Sequence, residues 1–205
     1  MCGFAGYLSS SPINSISQSR SMIQAMTDSL VHRGPDSEGF WQNYPDGIVL
    51  GFRRLAILDT SSKGNQPMSS PNGLYVIVFN GEIYNHLDLR KEIQIEQPNK
   101  KWFSSSDTET LLCAFEQWGI EQTLKRSLGM FSFALWNTQN KVLTLGRDRL
   151  GEKPLYYGWQ GRDDKQVFLF GSELKPFHCH SSFSKEIDRN SVSSFLRHSY
   201  IPAPN

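Results

Sequence analysis

The sequence predicts a layered α+β domain in which antiparallel sheets are sandwiched between helices. The chain has 205 residues, 38% of them hydrophobic, which is enough for a domain to bury a core. Its strand-like segments come in two runs, and its helical segments are grouped. Such grouping is typical of α+β folds and argues against a parallel sheet of alternating β-α units.

A strand and then a helix begin the chain. Residues 3–8 are apolar and lie between turn formers, which predicts a buried strand that starts almost at the terminus. A helix follows, because apolar residues recur at helical spacing at Met22, Ile23, Met26 and Leu30. Gly34 and Pro35 predict that this helix ends after Arg33.

Seven further segments have strand-like patterns. Three of them, at 38–42, 47–53 and 74–80, are separated by clusters of turn residues and predict an antiparallel meander. Four more, at 130–136, 141–146, 155–159 and 166–170, are separated by hairpin-length breaks and predict a second sheet.

Two helices lie between these runs. One is predicted over 87–95, and the other starts near Asp107, where Ser106 and Glu109 have the spacing of a capping box. The apolar stripe of the second helix consists of Leu111, Leu112, Phe115 and Trp118.

The charge balance excludes several classes of protein. The 21 basic and 20 acidic residues are dispersed and leave a net charge of +1, which predicts no nucleic-acid partner. No apolar run approaches the roughly 20 residues that span a bilayer, and the N-terminus does not resemble a signal peptide. The three cysteines have no paired spacing, which argues against a disulfide scaffold. We therefore expect a cytoplasmic protein with no membrane partner.

Cys2 is the sharpest candidate for chemistry. It directly follows Met1, so removal of Met1 makes its thiol part of an N-terminal residue. An α-amine with a pKa of about 7.7 to 8.0 is partly neutral at pH 7 and can accept the thiol proton. Gly3 would let a substrate approach the backbone closely. The alternative is an ordinary buried cysteine in the first strand.

Asn80 and Gly81 follow the apolar residues 76–79, which places them at the rim of a sheet. A side-chain amide and a backbone N–H are two neutral donors that can converge on an oxyanion. A tight turn is the alternative for this pair. His86 is a candidate partner for a cysteine, or else a satisfied loop histidine.

Two charged residues also have two interpretations each. Arg53 and Arg54 end a predicted strand, so one of them should face inward and bind a carboxylate of either a substrate or the protein. Asp107 is either a favourable charge in the first turn of a helix or the counter-charge for a substrate ammonium.

No metal or nucleotide site is predicted. The segment 146–153 resembles a phosphate-binding loop, but Glu152 separates Gly151 from Lys153, and Pro154 replaces the hydroxyl residue. The tripeptide 178–180 contains two histidines and a cysteine but lacks a second ligand cluster at zinc spacing.

Seven short motifs follow one another along the chain. They are Cys2-Gly3-Phe4-Ala5-Gly6, His32-Arg33-Gly34-Pro35-Asp36, Arg54-Leu55-Ala56-Ile57-Leu58-Asp59, Asn80 to His86, Ser106-Asp107-Thr108-Glu109, Gly146-Arg147-Asp148-Arg149-Leu150-Gly151 and Gly171-Ser172-Glu173-Leu174-Lys175. In order and spacing they resemble the class II glutamine amidotransferases, above all the N-terminal glutaminase domain of glutamine-hydrolysing asparagine synthetases. The resemblance covers nearly the whole chain. It implies the N-terminal-nucleophile (Ntn) hydrolase fold, a four-layer αββα sandwich of two antiparallel sheets between helices.

The resemblance implies three catalytic residues. Cys2 would be the nucleophile, with its α-amine as the base, and it would form a thioester with glutamine. The side chain of Asn80 and the N–H of Gly81 would form the oxyanion hole.

It also implies a set of residues that bind glutamine. Arg54 would hold the α-carboxylate, and Asp107 and Glu82 would orient the α-ammonium. The full set is Arg54, Leu55, Ile57, Leu58, Asn80, Gly81, Glu82 and Asp107.

The resemblance further implies that residues 1–190 form the glutaminase domain, with Met1 removed. Residues 191–205 would begin the connection to a synthetase domain that is absent here and that makes asparagine from aspartate. ATP and magnesium are expected only in that domain, with no cofactor in this one. Glutamine and the synthetase domain are the expected partners, and a homodimer stays open.

Two alternatives remain at this stage. The absent domain chooses the acceptor of ammonia, so the parent protein could amidate another carboxylate, such as a uronic acid. The chain could instead be a non-catalytic binding module of the same fold. The joint presence of Cys2, Arg54, Asn80, Gly81 and Asp107 argues against the second alternative.

Overall fold

The computed structural model describes residues 1–162 and 166–202. Within them the chain forms nine strands and four α-helices. The strands are β1 (Gly3–Ser9), β2 (Ser37–Asn43), β3 (Ile48–Arg54), β4 (Met68–Ser69), β5 (Tyr75–Ile83), β6 (Gly129–Asn137), β7 (Val142–Arg147), β8 (Tyr156–Gln160) and β9 (Val167–Gly171). The helices are α1 (Ile16–Asp28), α2 (His86–Glu96), α3 (Asp107–Arg126) and α4 (Arg189–His198).

The strands form two antiparallel sheets. The five-stranded sheet has the order β2-β3-β1-β9-β8, and the four-stranded sheet has the order β4-β5-β6-β7. β1 lies at the centre of the five-stranded sheet, where it pairs with β3 on one edge and with β9 on the other. The strand that follows Cys2 is therefore held on both sides.

Three apolar cores separate four layers of structure. Between the sheets, β1, β3 and β9 pack against β5 and β6 around Phe4, Leu50 and Trp136. Ile23 on α1 packs on the outer face of the five-stranded sheet. Phe115 on α3, with residues of α2, packs on the outer face of the four-stranded sheet. The expected αββα sandwich of two antiparallel sheets between helices is confirmed.

The assignment of strands to sheets differs from the prediction. The segment at 74–80 does not complete a meander with β2 and β3, because it forms β5 and pairs with β6. β8 and β9 do not extend the second sheet, because β9 pairs with β1. Turn residues in the sequence indicate where each strand lies. They do not indicate which strands pair, and β1 pairs with β3 and β9, which are far from it in sequence.

Helix boundaries also differ in places. α1 ends at Asp28 rather than Arg33, and a tight turn follows in which the Arg33 N–H donates to the Leu30 carbonyl at 2.9 Å. Leu30 is buried all the same, so the apolar periodicity continues beyond the helix. α3 is interrupted at Gly119, whose φ of +75° strongly favours glycine.

The start of α3 uses half of the predicted capping box. The Ser106 hydroxyl accepts from the Thr108 N–H at 3.1 Å, as expected for an N-cap. Glu109, however, accepts from the N–H groups of Phe103 and Ser104, at 2.8 and 2.7 Å, and not from the N-cap residue. Its carboxylate therefore folds the loop before the helix.

α4 was not predicted from the sequence. Asp188 caps it by accepting from the N–H groups of Asn190 and Ser191, at 3.1 and 3.0 Å, and none of its residues is buried. The proposed domain boundary at 190 falls inside this helix, and it stays a prediction. Of the proposed connection at 191–205, the last three positions lie outside the described residues. None of the described helices is long and apolar enough to cross a bilayer.

The close packing of the sheets generates a stability prediction at Gly6. A Cβ atom there would lie 2.5 Å from the Phe170 ring and 2.6 Å from the Val49 carbonyl oxygen. Overpacking a core costs about 1 to 3 kcal/mol, so we expect Gly6→Ala to lower the free energy of unfolding in urea by about that amount. Gly158→Ala is the matched control, since a Cβ atom there meets nothing within 4 Å. Equal destabilisation by both substitutions would contradict this packing.

Candidate active site

The two-residue periodicity of three strands brings the candidate residues to one end of the inter-sheet layer. Phe4 faces that layer, and so does Cys2, two residues earlier. By the same alternation Arg54 follows Phe52 on β3, and Asn80 follows Val78 on β5. The apolar core therefore continues into polar side chains where the strands reach the rim.

These side chains surround a cavity of about 130 Å³. Every residue that the sequence assigned to catalysis or to glutamine binding lines this cavity. The predicted residues that line it are Cys2, Arg54, Leu55, Ile57, Leu58, Asn80, Gly81, Glu82 and Asp107.

Cys2 is held at both its backbone and its thiol. Its carbonyl oxygen accepts from Arg33 Nε at 3.0 Å, and Arg33 pairs with Glu173 at 3.0 Å. The sulfur accepts from the Leu55 N–H at 3.4 Å. Burial raises the pKa of the Cys2 thiol, while the Leu55 hydrogen bond and the charges of the chain terminus and Arg54 oppose that rise. A base is therefore needed to take the thiol proton at neutral pH.

Arg54 is buried, and a loop surrounds its guanidinium. The guanidinium donates to the carbonyl oxygens of Asp59 and Ser61, the latter at 2.7 Å, and to Asn65 Oδ1 at 2.8 Å. Gly64 leaves the space, because a Cβ atom there would collide with the guanidinium. All of these acceptors are neutral, and no carboxylate in the described part of the chain lies within 4 Å. The alternative of a structural salt bridge is therefore wrong within that part.

Arg53 and Arg54 point to opposite faces of β3. The Arg53 guanidinium faces the side of α1 and pairs with Glu38 at 2.9 Å and with Asp28. Its charge is thus neutralised within the protein, and only Arg54 presents its guanidinium to the cavity.

Asp107 is the first residue of α3 and is buried in the cavity wall. Its Oδ2 accepts from the Ile83 N–H at 2.9 Å, which ties α3 to the end of β5. Burial raises the pKa of Asp107 to about 6, although the N–H groups of Ile83 and Thr108 oppose that rise. The position thus combines a helix-start role with a carboxylate that faces the cavity.

Asn80 carries an unpaired donor. The residue is 1% exposed, and among the described residues Nδ2 has no hydrogen-bond partner. A buried N–H without a partner costs free energy, so such a group in a cavity wall indicates a ligand atom. Gly81 is required by packing too, because a Cβ atom there would lie 2.6 Å from the Phe131 Cβ.

Nine lining residues were not assigned to the cavity from the sequence, among them Asp59, Gly64, Gln66 and Lys153. Asp59 receives hydrogen bonds from the backbone N–H groups of Ser61 and Ser105, both at 2.9 Å. Gln66 holds the backbone of Phe79, accepting from its N–H at 2.6 Å. Of these four, Asp59 ends the motif at 54–59 and Lys153 ends the segment 146–153, so both had a signal in the sequence.

Other candidates lie elsewhere. His86 begins α2 and does not line the cavity. Cys113 is buried on α3 next to Ile93, and Cys179 ends a short 3₁₀ helix. In residues 1–162 and 166–202, no three His, Cys, Asp or Glu side chains come together in a way that could hold a metal ion.

The comparisons with known proteins agree with this geometry. The family model for a glutamine amidotransferase domain matches residues 1–205. The chain belongs to this family. The resemblance found in the sequence is therefore confirmed at the level of the family.

Several relatives of this amidotransferase domain carry the name asparagine synthetase (glutamine-hydrolysing). One from Bacillus subtilis is 36% identical over the whole chain, which covers 31% of that protein. A putative one from Methanocaldococcus jannaschii is 35% identical over 89% of the chain and 37% of that protein. The chain thus spans about a third of the length of these relatives and matches their glutaminase portion.

A solved structure supports the fold of the amidotransferase domain. Glutamine phosphoribosylpyrophosphate amidotransferase from Bacillus subtilis superposes with a TM-score of 0.67 over 87% of this chain and 43% of that one. The sequence identity is 20%, so this likeness concerns the fold alone. The Ntn hydrolase fold expected from the sequence is confirmed.

The raised pKa of Asp107 generates a prediction about stability. An unfolded Asp has a pKa of about 3.9, so the folded state disfavours the ionised form, and stability is lost as the pH rises through about 6. We expect Asp107→Asn to raise the free energy of unfolding at pH 8 by up to about 3 kcal/mol, with a gain that fades toward pH 4.5. Urea denaturation at pH 8, 6 and 4.5 measures it. Asp88→Asn on the exposed side of α2 is the control, and a gain independent of pH would contradict the burial argument.

Proposed function

We propose that this amidotransferase domain hydrolyses glutamine to glutamate and ammonia through a thioester on Cys2. One observation carries the proposal: a thiol, a buried carboxylate, a cation and an amide donor line a single cavity, and among the described residues the cation has no carboxylate partner and the donor no acceptor. The family supports the reaction class, and the residue roles are inferred from the geometry.

The charges at the two sides of the cavity fit an amino acid zwitterion. The Arg54 guanidinium would bind the α-carboxylate, and the Asp107 carboxylate, assisted by Glu82, would bind the α-ammonium. The exposed side chains of Leu58 and Ile57 form the apolar rim. A substrate fixed at both charges presents its side-chain amide to Cys2.

The first half-reaction forms a carbon–sulfur bond and releases ammonia. The Cys2 sulfur attacks the amide carbon while its own α-amine, freed by removal of Met1, takes the thiol proton. Asn80 Nδ2 and the Gly81 N–H would donate to the oxyanion. Loss of one such donor typically lowers the rate by about 10²- to 10³-fold. The amine then returns the proton to the leaving nitrogen, and the γ-glutamyl thioester remains.

The second half-reaction hydrolyses the thioester. Water attacks the same carbonyl carbon, and the α-amine takes a proton from the water. The carbon–sulfur bond breaks, the proton returns to the Cys2 sulfur, and glutamate leaves. Two moderate barriers replace one high barrier, and the same base and the same donors serve both steps.

Covalent labelling tests the assignment of the nucleophile. We expect an electrophilic glutamine analogue to add once, at Cys2, and intact mass before labelling to show that Met1 is absent. Cys113 is buried and Cys179 lies outside the cavity, so both should stay unlabelled. Cys2→Ala should remove both the adduct and glutamine turnover, with Cys179→Ala as the matched control. Turnover that persists in Cys2→Ala would overturn the proposal.

We further propose that the ammonia serves an ATP-dependent synthetase domain of a longer protein, which makes asparagine from aspartate. The names of the relatives support aspartate as the acceptor, because glutamine-hydrolysing asparagine synthetases match along the whole of this chain. ATP and magnesium would bind in that other domain. Residues 1–190 would form the glutaminase unit, and α4 would lie at the start of the connection.

The parent protein tests the acceptor. With glutamine, ATP and magnesium, the full-length protein should convert aspartate to asparagine, whereas residues 1–205 alone should release ammonia without consuming ATP. Mass spectrometry of the products with aspartate or a uronic acid as the acceptor measures the choice. Amidation of the uronic acid in preference to aspartate would refute asparagine synthesis and leave the glutaminase reaction intact.

A further inference from the structure

Lys153 is a charged residue in the cavity wall that the proposed reaction does not use. With Met1 in place it is 6% exposed, and no carboxylate in the described part of the chain lies within 4 Å of its ammonium. Lys153 Nζ donates a hydrogen bond to Met1 Sδ at 3.2 Å, and a thioether is a weak acceptor. Burying an ammonium with so poor a partner is costly, so its position calls for an explanation.

Hydrogen bonds fix the loop that precedes Lys153. The Asp148 carboxylate accepts from four backbone N–H groups, those of Phe131, Leu150, Glu152 and Lys153, at 2.9 to 3.1 Å. Arg147 closes the loop from the other side by donating to the carbonyl oxygens of Gly151 and Lys153, the latter at 2.7 Å. Gly151 has a φ of +68° and leaves the space for this guanidinium. This loop belongs to the segment 146–153, whose sequence does not match the pattern of a phosphate-binding loop.

The position of Met1 fixes how near Lys153 lies to the reacting nitrogen. Met1 Sδ is five bonds from the Cys2 nitrogen, which limits the distance between Lys153 Nζ and that nitrogen to about 9 Å. Removal of Met1 takes away the thioether and leaves an ammonium near a terminal amine in a partly enclosed cavity. A unit charge at that distance lowers the pKa of an amine by about one unit at an effective dielectric constant of about 20.

Of the other charges near Cys2, Arg54 lowers the pKa of its thiol and Asp107 raises it, so these two act in opposite senses. Arg33 contacts the Cys2 carbonyl, and Glu173 balances its charge. The carboxylates of Asp59 and Asp148 accept hydrogen bonds from backbone N–H groups of their own loops and of Ser105 and Phe131. The remaining charged groups that line the cavity would bind the two charges of glutamine, and they are Arg54, Glu82 and Asp107.

We infer that Lys153 is a positioning residue that keeps the α-amino group of processed Cys2 in its neutral, proton-accepting form. The inference rests on the proposed function, in which this amine is the general base. It assigns a purpose to the Gly146–Lys153 loop: the loop holds a fixed cation against the base, so that the base is unprotonated at neutral pH.

Nuclear magnetic resonance of the amine tests the inference without turnover. The protein is prepared with Cys2 as its first residue and ¹⁵N-labelled cysteine, and the Cys2 nitrogen is titrated. We expect a pKa about one unit below the 7.7 to 8.0 of an ordinary α-amine, and a return to that range in Lys153→Met. Lys153→Arg should keep the low value, and Lys91→Met, on the exposed side of α2, is the matched control. A pKa of 7.7 or above for the Cys2 amine in the unsubstituted protein overturns the inference, even where Lys153→Met fails to fold.

The pH profile of kcat provides the second measurement. It is preferred to kcat/KM because the ionisation of Asp107 affects binding. In Lys153→Met the acidic limb should move up by about one pH unit, with kcat about sevenfold lower at pH 6.5 and close to that of the unsubstituted protein at pH 9. An unchanged limb overturns the inference. Cys2→Ala keeps a terminal amine, so titrating that amine with and without Lys153 tests the inference even if the thiol is not the nucleophile.

Discussion

The central constraint in this domain is the face-to-face packing of two antiparallel sheets, with β1 in the middle of one of them. Strand periodicity places every second side chain of β1, β3 and β5 in the layer between the sheets. At one end of that layer the apolar residues give way to Cys2, Arg54 and Asn80, which line a single cavity. Because β1 is paired on both edges, the nucleophile proposed here starts from a rigid backbone.

The sequence predicted the strands and the cavity residues better than the way the strands assemble. Residues 3–8 and the segment ending at Asn80 were recognisable because apolar runs and turn residues are local signals. The pairing of β5 with β6 was not, because it depends on contacts across the whole domain. The motifs identified the candidate residues through resemblance, and the structure added that Arg54 has no carboxylate partner in its described part. Gly64 had no signal, since its importance is the space it leaves for the Arg54 guanidinium.

The charged residues fall into two groups by how well the protein satisfies them. The carboxylates of Asp59, Glu109 and Asp148 all accept hydrogen bonds from backbone N–H groups. Serine and backbone donors hold the pKa of Asp59 below its usual range. Burial opposes the ionisation of Asp148, but its four backbone donors outweigh burial and lower its pKa. Arg54 and Asp107 face the cavity without an oppositely charged partner among the described residues, and for Asp107 burial raises the pKa to about 6.

This division explains how a small cavity can keep several unsatisfied charges. Two of the unpaired charges lie beside a loop that a hydrogen-bonded carboxylate organises: Asp59 accepts from the loop around Arg54, and Asp148 accepts from the loop that ends at Lys153. The unpaired groups cost free energy. They stay unpaired because hydrogen bonds in the supporting loops prevent the chain from moving to bury or pair them. A zwitterionic substrate would then supply the missing counter-charges for the groups on either side of the cavity. The Lys153 ammonium would have no counter-charge in that substrate, so it would still act on the terminal amine.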